Sequence, residues 1–141
     1  MRIAALDFGR KRIGIAVTDD HGLGAYPVGI FESRSRRHDF DAIVAQLTAR
    51  QVTLIVVGLP INMDGSEGSS ARSARTFGER LGAALGVPVE MQDERLTSLE
   101  ADERMRELGA SRSKRRQKSD AVAAAVILES WLEKNGRRTS G

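Results

Sequence analysis

Four acids in this chain stand where a carboxylate could do chemistry. Asp7 closes the apolar run IAAL and is followed by Phe8, Gly9 and three bases, Arg10, Lys11 and Arg12. Asp93 and Glu94 follow the β-rich run VPVEMQ, and Asp120 stands at the head of KSDAVAAAVIL. Carboxylate oxygens are natural ligands for Mg²⁺ or Mn²⁺, and a pair of such ions activates water and stabilises the departing oxygen in phosphodiester cleavage. Acids from three distant segments, meeting at one sheet edge, would make such a site, with either Asp93 or Glu94 as the middle member. Gly9 lets the chain pass close to a phosphate, while Arg10, Lys11 and Arg12 neutralise the backbone nearby.

Each acid also has a plainer role open to it. Asp7 could form a turn, but it lies between Leu6 and Phe8 in a run that reads as buried, where a carboxylate without a partner is costly. Asp120 could answer the dipole of a helix beginning at residue 119. Asp93 and Glu94 could each pair with Arg95. A second basic stretch, ASRSKRRQKS, carries Arg112, Lys114, Arg115, Arg116 and Lys118 and reads as a connector able to contact phosphates. His21 sits in a turn and His38 before a helix, and neither has a partner at metal-ligand spacing. With no cysteine in the chain, any metal is held by oxygen or by these two histidines.

The elements that must position these residues follow from periodicity. Residues 2–8, 13–18 and 25–32 are short β-rich runs separated by GRKR and DDHGLG, the pattern of a three-stranded meander. From Asp39 onward, Phe40, Ile43, Val44 and Leu47 recur at the spacing of one buried helical face. TLIVVGLP is continuously apolar, as in a parallel strand covered on both faces. Ala74, Phe77, Leu81, Ala84 and Leu85 mark a second helix ended by Gly86, and VPVEMQ is a fifth strand. Thr97 and Glu100 form a capping box for a third helix that ends before Gly109. An alanine-rich helix over residues 119–134 closes the chain, with a frayed RRTSG tail. Three antiparallel strands, then two parallel strands alternating with helices, predict an α/β fold of ribonuclease H-like architecture, whose sites lie at the strand ends.

The 141 residues fit one domain with one core, expected to centre on Leu54 to Val57, Phe40, Phe77 and Trp131. No window is apolar enough to span a membrane, and no signal segment opens the chain, so a cytoplasmic protein is expected. The net charge is only +3, from 22 Lys and Arg against 19 Asp and Glu, but the clustering of the bases makes nucleic acid a candidate partner.

LDFGRKRIGIAVTD, IVVGLPINMDGSEG, DERLTSLEA and KSDAVAAAVILESWL together resemble the YqgF family, also described as RuvX. The four motifs occur in family order over nearly the whole chain. The resemblance implies a ribonuclease H-like fold, a cytoplasmic location and a divalent-metal-dependent nuclease. It implies maturation of the 5′ end of the pre-16S ribosomal RNA, or alternatively resolution of Holliday junctions in DNA. By matching position it places the acidic triad on Asp7, Glu94 and Asp120. One departure is Ser119, where the family commonly has a small hydrophobic residue; it could cap a helix beside Asp120. A resolvase would cut opposing strands from two sites related by a twofold axis, and so would be a homodimer. Two other classes stand beside this one. DFGRKRIGIAVTD also resembles the phosphate-binding hairpin of the sugar kinase, Hsp70 and actin superfamily, but 141 residues leave no second domain to close over ATP. A noncatalytic RNA-binding scaffold would use the same acids for structural Mg²⁺.

Overall fold

The computed structural model describes residues 2–8, 12–19, 24–32, 36–62, 64–93 and 112–135. In chain order the elements are β1 (Arg2–Phe8), β2 (Arg12–Thr18), β3 (Ala25–Glu32), α1 (Arg36–Ala49), β4 (Val52–Leu59), α2 (Ser69–Leu85), β5 (Val89–Asp93) and α3 (Arg112–Lys134). They build one sheet in the order β3-β2-β1-β4-β5. β2 pairs antiparallel with both β1 and β3, while β4 pairs parallel with both β1 and β5. This is the mixed five-stranded sheet expected of the ribonuclease H-like class. Pro27, which has no N–H to give a ladder, is accommodated on the edge strand β3 beside a register shift at Val28.

Helices cover both faces of the sheet, so most of the buried apolar residues divide into two large clusters rather than the single core expected. One cluster joins Ala4, Leu6, Ile13, Ile15, Ile55, Val57 and Leu59 of the strands to Ile43 and Leu47 of α1 and to Ala74, Phe77 and Leu81 of α2. The other joins Ile3, Ala5, Ala16 and Val56 to Ala124, Ile127, Leu128, Trp131 and Leu132 of α3. The physical reason lies in the strand period of two: Leu6 and Ala5, or Val57 and Val56, must enter opposite layers. Phe40 and Phe77 therefore belong to one layer and Trp131 to the other.

On the first face, α2 approaches the strands through glycine. A Cβ on Gly78 would come within 2.6 Å of Val57 Cγ2, and one on Gly82 would collide with Val89 Cγ2 and lie 2.9 Å from the Val87 carbonyl oxygen. These two glycines, one helical turn apart, let the helix backbone rest almost directly on β4 and β5. The helix ends where Gly86 turns left-handed at φ 68° and ψ 34°, and the Val87 N–H donates back to the Gly82 carbonyl oxygen at 3.0 Å.

Two boundaries differ from expectation. α1 begins at Arg36, three residues before Asp39. More consequentially, the stretch read as a basic connector is helical: α3 begins at Arg112 and runs unbroken through Ser119 and Asp120. Residues 112–118 contain neither glycine nor proline, and Arg, Lys and Gln are good helix formers, so nothing stops the helix there. Ser119 is consequently an interior residue and not a cap. The helix expected after Thr97 lies outside the described residues.

The close approach at Gly82 makes a measurable claim. Alanine in a helix normally gains about 1 kcal/mol over glycine. Gly82→Ala should instead destabilise the protein by about 1–3 kcal/mol, because the added methyl overpacks against Val89 and the Val87 carbonyl. Urea denaturation of the variant beside wild type measures the difference, and a variant as stable as wild type would show that α2 can lift off the sheet without cost.

Candidate active site at the end of the central strand

Asp7 is half-buried near the C-terminal end of β1, the central strand. Its neighbours in the sheet are Gly14 on β2 and Gly58 on β4; beyond them in the same row stand Ile30 on β3 and Gln92 on β5. Residues directly opposite one another share a face with Cβ atoms about 5 Å apart, so with glycine on both sides no cross-strand side chain from β2 or β4 stands directly against Asp7. A glycine within a strand signals close approach of something else. Sequence reasoning passed over Gly14 and Gly58, although their position inside β-rich runs carried that signal.

The face on which Asp7 lies follows from its own strand. Ile3 and Ala5 pack against α3, whereas Ala4, Leu6 and Phe8 belong with α1 and α2. Alternation puts Asp7 on the α3 side. Two hydrogen bonds pin α3 over that side. The Gln92 amide Nε2 donates to Ser130 Oγ at 3.0 Å, and the Trp131 indole Nε1 donates to Glu90 Oε1 at 3.2 Å. The helix backbone at Asp120 is eleven residues before Trp131, roughly three turns and about 16 Å along the axis. At ~100° per residue, position 120 falls within about 40° of Ala124, Ile127 and Trp131, the stripe that meets the sheet. Asp120 stands eight residues inside the helix, too deep for an explanation by the macrodipole, which fades within the first turn.

β5 separates the two adjacent acids. Val89 and Met91 pack against the α1–α2 cluster, while Glu90 and Gln92 bond to α3. Asp93 is in register with Leu59, a member of the α1–α2 cluster, and so belongs to the face away from Asp7. Glu94 lies outside the described residues, as do Gly9, Arg10, Lys11 and His21. Arg12 is half-buried at the start of β2, two residues before Gly14 and therefore on the Asp7 side of the sheet. Arg112, Lys114, Arg115, Arg116 and Lys118 occupy the first two turns of α3, and only their backbone is described. His38 is exposed on α1.

The loop after β4 lies at the same end of the sheet as Asp7, and it is held by its own polar groups. Asp64 Oδ1 accepts from the Ser66 N–H at 2.9 Å and from Ser66 Oγ at 2.6 Å. Asn62 Nδ2 donates to Ser66 Oγ at 3.1 Å, and the Gly65 N–H donates to the Asn62 carbonyl oxygen at 2.8 Å. Gly65 takes φ 89°, a conformation that favours glycine. Asp64 thus orders a turn.

Among the described residues no three His, Cys, Asp or Glu side chains converge as a metal centre. The surroundings of Asp7 nevertheless fit a hard cation. The donor is an oxygen, its two cross-strand neighbours are glycines with no side chain of their own, and the row contains neither sulfur nor imidazole.

A meander followed by two parallel strands, helices on both faces and an acid at the end of the central strand define a ribonuclease H-like nuclease, a class that depends on divalent metal. The chain belongs to the RuvX family: the family model described as "RuvX: Holliday junction resolvase" matches residues 1–134. An Anaeromyxobacter protein named "Putative pre-16S rRNA nuclease" is 52% identical over 133 residues, covering 94% of this chain and 97% of the relative. A Myxococcus xanthus protein of the same name is 43% identical, covering 94% and 88%. Among solved structures, Thermus thermophilus RuvC superimposes with a TM-score of 0.58 at 18% identity over 97% of this chain and 98% of its own. The same protein bound to a Holliday junction substrate gives 0.62 at 15% identity over 97% and 98%. The fowlpox virus Holliday junction resolvase gives 0.61 at 13% over 96% and 99%. Family membership makes the chain a hydrolase acting on nucleic acid.

The face assignments separate two neutralising substitutions. Asp7→Asn should lower nuclease activity by about 100-fold or more, since it keeps the shape and removes an anionic ligand. Asp93→Asn, on the other face, should change it by less than about threefold. Initial rates on one nucleic acid substrate, with circular dichroism to check folding, test both. Equal loss in the two variants would contradict the separation of faces.

Proposed function

We propose that this protein hydrolyses phosphodiester bonds of the pre-16S ribosomal RNA in maturing its 5′ end, with Asp7, Glu94 and Asp120 as its catalytic carboxylates. The observation that carries the reading is the placement of Asp7. It stands between two glycines at the end of the central strand, on the face covered by the helix that bears Asp120. The placement of Asp93 on the face away from Asp7 favours Glu94 over Asp93 as the third acid.

Divalent ions held by these acids, Mg²⁺ or Mn²⁺, supply the positive charge that activates water and stabilises a departing oxygen. The protein's own groups do the rest. β1 and α3 hold their acids on rigid elements rather than on loops, which fixes the spacing of the oxygens. Arg12, with Gly9, Arg10 and Lys11 before it, meets the substrate phosphates beside Asp7. The basic residues Arg112, Lys114, Arg115, Arg116 and Lys118 crowd the N-terminal turns of α3, where no acid answers the helix dipole. A polyanion along that end offsets both the mutual repulsion and the dipole.

A second reading is favoured by the likeness to RuvC bound to a Holliday junction: the same site cuts branched DNA as a homodimer. Among the described residues no helix is long and apolar enough to cross a membrane, and the cytoplasm, where the ribosomal RNA precursor is made and trimmed, is the proposed location.

Cleavage-site mapping on the pre-16S RNA beside a four-way DNA junction decides between the two. Cuts at the mature 5′ end by a monomer support the first reading, and paired symmetric cuts in the junction by a dimer support the second. EDTA should abolish cleavage, Mg²⁺ or Mn²⁺ should restore it, and Ca²⁺ should support little. The melting temperature should be unmoved by EDTA, since neither apolar cluster uses the ion. Glu94→Gln should match Asp7→Asn in its loss of activity. Cleavage persisting in EDTA would overturn the carboxylate-metal assignment.

A further inference from the structure

The sheet face opposite Asp7 carries a groove of about 780 Å³ between α1 and α2. Its floor is Phe40 and Phe77, whose rings meet edge to face with centroids 5.8 Å apart. Its wall is one flank of α2, a stripe of Ser69, Arg72, Ser73, Thr76 and Arg80. Among the described residues neither Arg72 nor Arg80 has an ion-pair partner, whereas Arg75, outside the groove lining, is paired to Glu67 at 2.9 Å. Among the described residues no acid lines the groove.

We propose that this groove is a second contact for the substrate, holding the phosphodiester backbone of a nucleic acid strand on the sheet face opposite Asp7. The inference rests on the nuclease reading above. Arginine and hydroxyl donors suit phosphate oxygens, and among the described residues of the lining no carboxylate competes with them. Arg72 and Arg80 are eight residues apart on α2, about 12 Å along the axis. With a rise of ~3.4 Å per nucleotide in one strand, this spans several nucleotides and suits a chain of phosphates rather than a single anion. A second copy of the protein is a poor occupant, because an isologous contact would set this arginine-bearing flank against itself.

The groove also has a route to the site. Phe77 stacks on Phe8 with ring centroids 5.0 Å apart, and Phe8 is the residue after Asp7. The floor of the groove thus touches the residue that follows the candidate carboxylate, on the other side of the sheet. A strand bound at both would pass from one sheet face to the other at the end of β1. Its contacts are to phosphates, so they extend the bound length without adding sequence preference.

The test is anisotropy titration of the full-length protein in Ca²⁺ with labelled single-stranded RNA of 24 nucleotides, over a range of salt. Arg72→Gln/Arg80→Gln should weaken binding by about tenfold and flatten the slope of log K against log salt by about 1.4, the share of two phosphate contacts on a single strand. Ser73→Glu, which brings a negative charge into the same lining, should also weaken binding, and Arg75→Gln should leave the slope unchanged. Circular dichroism melts confirm that each variant is folded. An unchanged slope in the double variant and in Ser73→Glu, with wild-type RNA binding intact, overturns the groove and leaves the nuclease reading standing. Wild-type protein that binds no RNA overturns both. A wild-type dimer in sedimentation that the double variant dissociates, with no change in the salt slope, makes the groove a subunit interface and overturns the proposal.

Discussion

Everything in this molecule depends on the pairing of β1, which is antiparallel to β2 on one side and parallel to β4 on the other. A strand in that position is covered on both faces, and its pleat sends successive residues into different layers. Leu6 and Phe8 enter the α1–α2 layer, and Asp7 between them emerges on the α3 side. A carboxylate in the middle of a sheet costs stability unless polar partners or water reach it. Asp7 is half-buried near the end of its strand rather than enclosed, with glycine on either side of it in the row. A one-residue slip of β1 would put Asp7 into the apolar layer and Leu6 or Phe8 at the site, so register and function are bound together.

The two layers divide the work. The α1–α2 layer is the larger apolar one, drawn close to the strands by Gly78 and Gly82, and it anchors β4 and β5 beneath the helix. The α3 layer uses small residues, Ala123, Ala124 and Ala125, to bring a long helix down onto β1 and β2. Two hydrogen bonds from β5, through Glu90 and Gln92, fix where along its length that helix lies. The described part of α3 therefore works as a rigid arm. Its C-terminal half is buried against the sheet, and its N-terminal half carries Asp120 and the basic residues.

That arrangement also changes what the basic residues mean. In a connector, Arg112 to Lys118 would be five independent charges on a soft chain. On the first two turns of a helix they are held at fixed spacing, close to a dipole end of the same sign. On the proposed function a bound polyanion would offset the cost of that placement, tying the helix extension to the substrate rather than to stability.

Much of the fold was legible because its signals are local. The meander, the two-sided apolar run of β4, the periodic faces of α1 and α2 and the glycine stop at Gly86 each follow from residue types within a few positions of one another. The acids were legible as residue types, and Asp7 stood out because its neighbours are apolar. Other properties belong to segments distant in the chain, and only the tertiary structure decided them. Asp93 and Asp7 lie on opposite faces because β5 takes its register from β4. Asp120 is not a helix-end residue because α3 continues back to Arg112. Phe40 and Arg80, forty residues apart, share a groove because both helices pack on one face of the sheet. Short-range periodicity determines which residues turn inward together; only long-range packing determines which of those groups face one another.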